Sequence, residues 1–164
     1  MGGSRSGKSA AAERMVHDLG ADRVLYVATA ETSGDPDLEL RVRAHRERRP
    51  SDWETLELGG GDLKAALDAA YRHEAVLFDS LTLWVSARME REKETLAEFD
   101  AFLEGAASME ADVVLVSDEV GLGVVPESAA GRRFRDLLGL VNQRAAASAG
   151  EVHLWVAGIG VRIK

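Results

Sequence analysis

Gly2-Gly3-Ser4-Arg5-Ser6-Gly7-Lys8-Ser9 has the spacing G-x-x-x-x-G-K-[ST], whose chemistry is the holding of a triphosphate. Glycines let the backbone wrap closely enough for its N–H groups to face phosphate oxygens, and a helix starting there aims its positive end at the same charge. Lys8 would reach the β and γ phosphates. The Ser9 hydroxyl would sit on Mg²⁺, the hard cation that screens them. A flexible glycine-serine terminus could carry the same letters, but the alanine-rich amphipathic stretch directly behind them is the helix a phosphate loop requires.

Two further groups could serve the same nucleotide. Ala75-Val76-Leu77-Phe78-Asp79 is an apolar run ending in a carboxylate, the arrangement of an acid that holds Mg²⁺ or its water. Taken alone, Asp79 would fit equally well as the cap of a following helix, and it is the phosphate loop that favours the metal-side role. Between Arg41 and Arg49 lie five arginines, Arg41, Arg43, Arg46, Arg48 and Arg49, around His45. Guanidinium groups at this density suit phosphate. Leu38, Val42 and His45 fall at i, i+4 and i+7 of a helix that Pro50 stops, so the imidazole would stand beside the apolar face that anchors it. Neighbouring positive charge keeps an imidazole neutral, with a lone pair free to attack phosphorus. The same spacing also fits a solvated basic helix carrying an incidental histidine.

The elements that must position these groups read as an α/β fold with a mostly parallel sheet flanked by helices. Short valine- and leucine-rich runs predict four doubly buried strands at Val24–Ala28, Ala75–Phe78, Val113–Val116 and Val152–Val156. Helices are expected over Ser9–Leu19, Asp62–Tyr71, Leu81–Ala107 and Glu127–Ala147, with Asp62 as an N-cap behind Gly59, Gly60 and Gly61. Leu63, Ala66, Leu67 and Ala70 would form the inner face of the second of these. His17, His73 and His153 show no metal-ligand spacing, and Trp53, Trp84 and Trp155 read as core or interface side chains.

The 164 residues fit one domain, 1–164, with no linker or repeat. The formal charge of −8 argues against a nucleic-acid partner, so any anion site has to be local. Without cysteine there are no disulfides and no thiolate chemistry. No apolar run approaches the roughly 20 residues that span a bilayer, and the expected location is the cytoplasm.

A phosphate loop normally follows a buried strand, yet only Met1 precedes Gly2. Four or five buried apolar side chains are worth about 6–15 kcal/mol, comparable with the stability of a whole domain. The expectation is therefore that the natural start lies several residues upstream of Met1.

Several separated strings together resemble one family, the bifunctional adenosylcobinamide kinase and adenosylcobinamide-phosphate guanylyltransferases of cobalamin synthesis. They are the phosphate loop, the strand end Val27-Ala28-Thr29-Ala30, and Arg41-Val42 leading through His45 to Arg49-Pro50 and Trp53. Further on come Asp118-Glu119-Val120-Gly121-Leu122-Gly123-Val124-Val125-Pro126-Glu127, Phe134-Arg135-Asp136, Val141-Asn142-Gln143-Arg144 and Gly158-Ile159-Gly160. The string E-V-G-x-G-x-V-P-E is the most specific of these, and the resemblance spans the entire chain. Ala87 departs from it, standing where relatives often show asparagine.

The resemblance implies that His45 attacks the α-phosphorus of GTP, releases pyrophosphate and carries GMP as a phosphoramidate until adenosylcobinamide phosphate takes it to give adenosylcobinamide-GDP. It implies an earlier step as well, phosphorylation of the adenosylcobinamide hydroxyl by ATP or GTP. Nucleotide contacts are implied for Ala28, Thr29 and Ala30, for Arg46, Glu47, Arg48 and Arg49, and for Glu57 and Asp79, with Mg²⁺ on Ser9 and Asp79. A homotrimer is implied too. Another phosphate-loop kinase of a small molecule would need Lys8 and Asp79 but no covalent histidine, and a protein that senses nucleotide without turnover would release no pyrophosphate.

Overall fold

In the computed structural model, which describes residues 1–31, 34 and 36–164 and only the backbone of Asp37, Leu38 and Arg41, the valine-rich runs pair as a parallel sheet. Its strands are β1 (Val24–Ala28), β2 (Glu54–Glu57), β3 (Ala75–Asp79) and β4 (Asp112–Val116), in the order β2-β1-β3-β4. The register puts Ala28 level with Glu57 and Asp79, and Asp79 level with Val116. Four strand ends thus meet at one carboxyl edge, where α/β sheets bind ligands. β1 is buried throughout, as is β3 up to Phe78, which is why both read as unbroken apolar runs.

Helices cover both faces of the sheet. On one face, α1 (Lys8–Asp18) lays Ala12 and Val16 over Val24, Tyr26 and Leu77. On the other, α3 (Leu63–Ala70), α4 (Leu81–Ser86), α5 (Glu92–Ala107) and α6 (Ala129–Ser148) enclose Phe78, Trp84, Phe99, Phe102, Leu137 and Leu138. Asp62 caps α3 by accepting the Lys64 N–H at 2.8 Å, and Ser128 caps α6 by accepting that of Gly131 at 3.0 Å. α2 (Pro36–Arg48) begins on a proline, whose missing N–H costs nothing in a first turn, and ends short of Pro50. No helix among the described residues is long and apolar enough to cross a membrane.

Three expectations change. The single helix expected over Leu81–Ala107 is two, α4 and α5, separated by a 3₁₀ turn at Met89–Arg91. The break is held by Arg88, whose guanidinium donates to the carbonyls of Gly60 and Gly61 at 2.9 and 3.1 Å and pairs with Glu98. Unbroken, those residues would make a rod of about 40 Å, longer than the core they cover. β2 and the last strand, β6 (Ile159–Arg162), escaped the sequence reading because both are largely exposed and carry no apolar run. β6 closes an antiparallel hairpin with β5 (His153–Val156). Finally, β4 and β5 are only partly buried rather than doubly buried.

The reason for that partial burial is a seam. β4 and β5 do not pair with each other; Met1 and Gly2 lie between them. Gly2 donates to the Ser117 carbonyl at 3.2 Å and accepts the Glu119 N–H at 3.1 Å, while the Met1 carbonyl accepts the Trp155 N–H at 2.8 Å. The Met1 ammonium donates to the His153 carbonyl at 2.8 Å. Both bridges run parallel. Glycine is required at position 2, because a Cβ there would lie 2.5 Å from the Trp155 carbonyl oxygen and 2.6 Å from Ser6 Oγ. Gly3 has open space around it. Gly2→Ala is therefore expected to cost about 1–3 kcal/mol in urea unfolding, whereas Gly3→Ala stays within about 0.5 kcal/mol of the parent.

Candidate active site

The phosphate loop is a tight turn that leads straight into α1. Ser6 donates its N–H to Gly3 O at 3.2 Å, and Gly7 takes a left-handed φ of 90° before Ala11 N–H closes the first helical turn on its carbonyl at 3.0 Å. Gly158, in the β5–β6 turn, donates to Ser6 O at 3.0 Å and braces the loop from behind. Inside the loop, Ser6 Oγ is buried without a hydrogen-bond partner among the described residues. Lys8 reaches back to Gly3 O at 3.4 Å and forms an ion pair with Asp118, just beyond the end of β4.

Across a cavity of about 190 Å³ from Lys8 and Ser9 stands His45 of α2. Its Nδ1 lies 3.3 Å from Asp79 Oδ2, which also accepts the Tyr26 hydroxyl at 2.8 Å. Tyr26 and Asp79 come from adjacent strands, two positions apart in register, so parallel pairing alone aims both side chains at one point. The Arg49 guanidinium covers the Tyr26 ring at 3.5 Å and donates to Thr55 Oγ1 at 2.5 Å, which clamps the end of α2 to the sheet edge. Thr29 fixes the backbone beside Asp79, its hydroxyl accepting the Ser80 N–H at 2.8 Å and donating to the Ser80 carbonyl at 2.7 Å.

These contacts set the protonation of the pair. Burial, the largest influence on Asp79, works to raise its pKa, but the hydrogen bonds from His45 and Tyr26 and the charges of His45 and Lys8 together hold it below the usual carboxylate value. Tyr26 moves the other way, raised by burial first and by the adjacent Asp79 charge second, so it stays a hydrogen-bond donor at any working pH. In the neutral ring, a carboxylate that accepts at Nδ1–H leaves the lone pair on Nε2. The site is thus an oriented imidazole facing Lys8 and Ser9 across one cavity.

The sequence profile described as cobinamide kinase / cobinamide phosphate guanyltransferase matches residues 1–163. The chain belongs to this family. It is similar to the bifunctional adenosylcobalamin biosynthesis protein CobU of Salmonella typhimurium strain LT2, 39% identical over an alignment of 181 positions, with 99% of this chain and 97% of that one covered. CobU of Escherichia coli K12 is 38% identical, with 99% and 97% covered, and CobP of Pseudomonas aeruginosa is 38% identical, with 100% and 95% covered.

The predicted residues divide by position. Lys8, Ser9, Ala28, Ala30, His45, Arg46, Arg49, Glu57 and Asp79 line the cavity. Arg46 and Glu57 pair with each other at 2.8 Å. Arg48 turns to Glu13 of α1 at 2.9 Å, outside the cavity lining. Glu47 is solvent-exposed, as are Gly3, Ser4 and Arg5 of the loop, and Thr29 has its hydroxyl committed to Ser80. The side chains of Arg41 and Leu38 lie outside the described residues. Of the histidines read as structural, His73 sits against Ala69 O at 2.9 Å and Glu54 at 3.2 Å.

Two members of the site went unread in the sequence. Tyr26 was hidden inside a strand that looked like pure core. Asp118 carried a signal that passed unused, since Val113–Val116 followed by Ser117-Asp118 is a second apolar strand that ends beside a carboxylate, the pattern that singled out Asp79.

A divalent cation fits this arrangement. Mg²⁺ keeps most of its water and takes one or two protein oxygens beside substrate phosphates, so the lack of a three-residue acidic cluster among the described residues is no obstacle. Ser9 and Asp79 supply hard oxygen donors on one cavity, and both described contacts of Asp79 fall on Oδ2.

The lowered Asp79 pKa has a sign. Its contribution to stability is present above the unfolded value of 3.8 and is lost as pH falls through the lower folded value. Asp79→Asn should therefore flatten the loss of stability below about pH 4 in urea unfolding. Tyr26→Phe, which removes one of the hydrogen bonds that lower the pKa, should shift that loss to higher pH.

Proposed function

We propose that the chain phosphorylates adenosylcobinamide with ATP or GTP and then transfers GMP from GTP to adenosylcobinamide phosphate through a guanylyl group carried on His45. The observation that carries this reading is that His45, oriented by Asp79, shares one cavity with Lys8 and Ser9.

Lys8 and the loop N–H groups hold the triphosphate, and Ser9 and Asp79 are the residues that would hold Mg²⁺, which supplies charge neutralisation at the phosphates. His45 Nε2 forms a bond to the α-phosphorus of GTP, the bond to the β-phosphate oxygen breaks, and pyrophosphate leaves. The positive charge that develops on the imidazole is balanced by Asp79 at Nδ1–H. The phosphate of adenosylcobinamide phosphate then attacks the same phosphorus from solution, the P–N bond breaks, and His45 recovers its lone pair. Splitting the transfer keeps two anions from having to meet in a single step, and Arg46 and Arg49 temper the repulsion in each. In the kinase step, the γ-phosphoryl group passes to the substrate hydroxyl over Lys8. With no helix suited to crossing a membrane among the described residues, a cytoplasmic location beside the nucleotide pools fits both reactions.

We further infer a homo-oligomer. Val156, Ile159, Val161 and Ile163 are all more than half exposed on one hairpin and its tail, and Leu122, Val124 and Val125 are exposed on the loop before α6. Exposed apolar side chains gathered on one hairpin suit a contact between copies.

GTP labelled at the α-phosphate should leave acid-labile, base-stable label on the protein, and His45→Ala should abolish it while nucleotide binding survives. Label that persists in this variant removes His45 from the role. Lys8→Ala should weaken triphosphate binding at least about tenfold, by loss of a charge-assisted contact. Ile159→Glu with Val161→Glu should lower the mass measured by sedimentation without preventing label uptake by folded protein.

A further inference from the structure

We propose that Asp118 is the residue by which the cavity distinguishes a triphosphate carrying a divalent cation from a bare one. The proposal rests on the reading above that Lys8 and Ser9 hold the triphosphate, and it gives a role to a carboxylate that this reading leaves unused.

The fold fixes Asp118 from three sides. Its N–H donates to Thr82 Oγ1 of α4 at 2.8 Å, and its carbonyl accepts from Asn142 Nδ2 of α6 at 3.0 Å. Asn142 Oδ1 in turn accepts the Ser117 hydroxyl at 2.6 Å, and the side chains of both residues are buried. On the third side Gly2 bridges to Asp118, donating to the Ser117 carbonyl and accepting the Glu119 N–H. A buried asparagine with both ends of its amide committed to one dipeptide holds that dipeptide firmly, because either end left unpaired would lose its solvation with nothing in return. What the network places is a carboxylate that lines the cavity and pairs with Lys8.

That placement opposes a bare polyanion. The charged groups on the cavity are Lys8, Arg46 and Arg49 against Glu57, Asp79 and Asp118, so with His45 neutral the lining has no net charge. Of the three cations only Lys8 belongs to the phosphate loop, and its one other described tie is a long contact to Gly3 O at 3.4 Å. A phosphate that approaches Lys8 without a counterion meets the Asp118 carboxylate at close range and competes with it for the ammonium. With its main chain fixed and a single methylene between main chain and carboxylate, Asp118 cannot retreat far. When the phosphates carry a divalent cation, the sign of the contact reverses, since the carboxylate then faces added positive charge. Ser9 and Asp79 remain the residues that would hold the ion, and Asp118 acts through its charge. A purely structural ion pair between α1 and the end of β4 would show no such dependence on the cation.

The test is binding of the α,β-methylene analogue of GTP, which cannot release pyrophosphate, to the full chain by calorimetry in excess Mg²⁺ and in EDTA. The parent chain is expected to bind the analogue at least about 30-fold more tightly with Mg²⁺. Asp118→Asn keeps the size and the main-chain contacts, and it should tighten metal-free binding at least about tenfold while moving the affinity in Mg²⁺ by less than about threefold. Asp118→Glu keeps the charge and should retain the preference for Mg²⁺. Equal tightening of Asp118→Asn in both buffers would make the carboxylate a mere competitor for Lys8 and overturn the proposal. An unchanged ratio in Asp118→Asn, or loss of the Mg²⁺ preference in Asp118→Glu, would overturn it too. Failure of the parent chain to bind the analogue in either buffer would overturn the reading of the cavity itself, and this proposal with it.

Discussion

A carboxylate buried at the end of a parallel strand holds the two halves of this site together. Asp79 leaves water when β3 enters the core, and burial on that scale has to be offset by hydrogen bonds or the group would protonate. Tyr26, from the neighbouring strand, and His45, from α2, provide them. The interaction that keeps Asp79 ionised is the same one that brings the imidazole of α2 over the sheet edge, within the cavity that Lys8 and Ser9 line. Remove the carboxylate and the imidazole loses its described ion-pair partner; remove the histidine and the carboxylate loses one of the contacts that keep it charged.

The second constraint is charge. An acidic chain of formal charge −8 can hold a triphosphate only where cations are concentrated and neutralised until needed. Lys8 rests on Asp118, Arg46 on Glu57 and Arg48 on Glu13. The first two of these lie on the cavity, so its cations are already paired with carboxylates rather than forming a bare positive patch.

Position 2 ties this chemistry to the sheet. Gly2 and Met1 are the only main-chain link between β4 and β5 among the described pairs, and Gly2 is itself the first residue of the glycine-rich loop. Gly158 braces the loop from the β5–β6 turn, so the hairpin too reaches the nucleotide site through one hydrogen bond.

The sequence by itself determined the local parts. The phosphate loop, the strands β1 and β3, the cap at Asp62 and the basic helix were legible because each is set by a short-range rule of spacing or propensity. Family membership was legible in the ordered strings from Gly2 to Gly160, and the comparison with known proteins agrees with it. What only the tertiary structure decided were relations across the sheet. That Tyr26 faces Asp79, that Asp118 holds Lys8 and that Arg48 turns away depend on the parallel register and on which face of α2 docks, and no local pattern encodes either. The break at Arg88 and the exposed strands β2 and β6 were unreadable for a related reason. Long-range hydrogen bonds hold them, in stretches whose composition favours neither outcome.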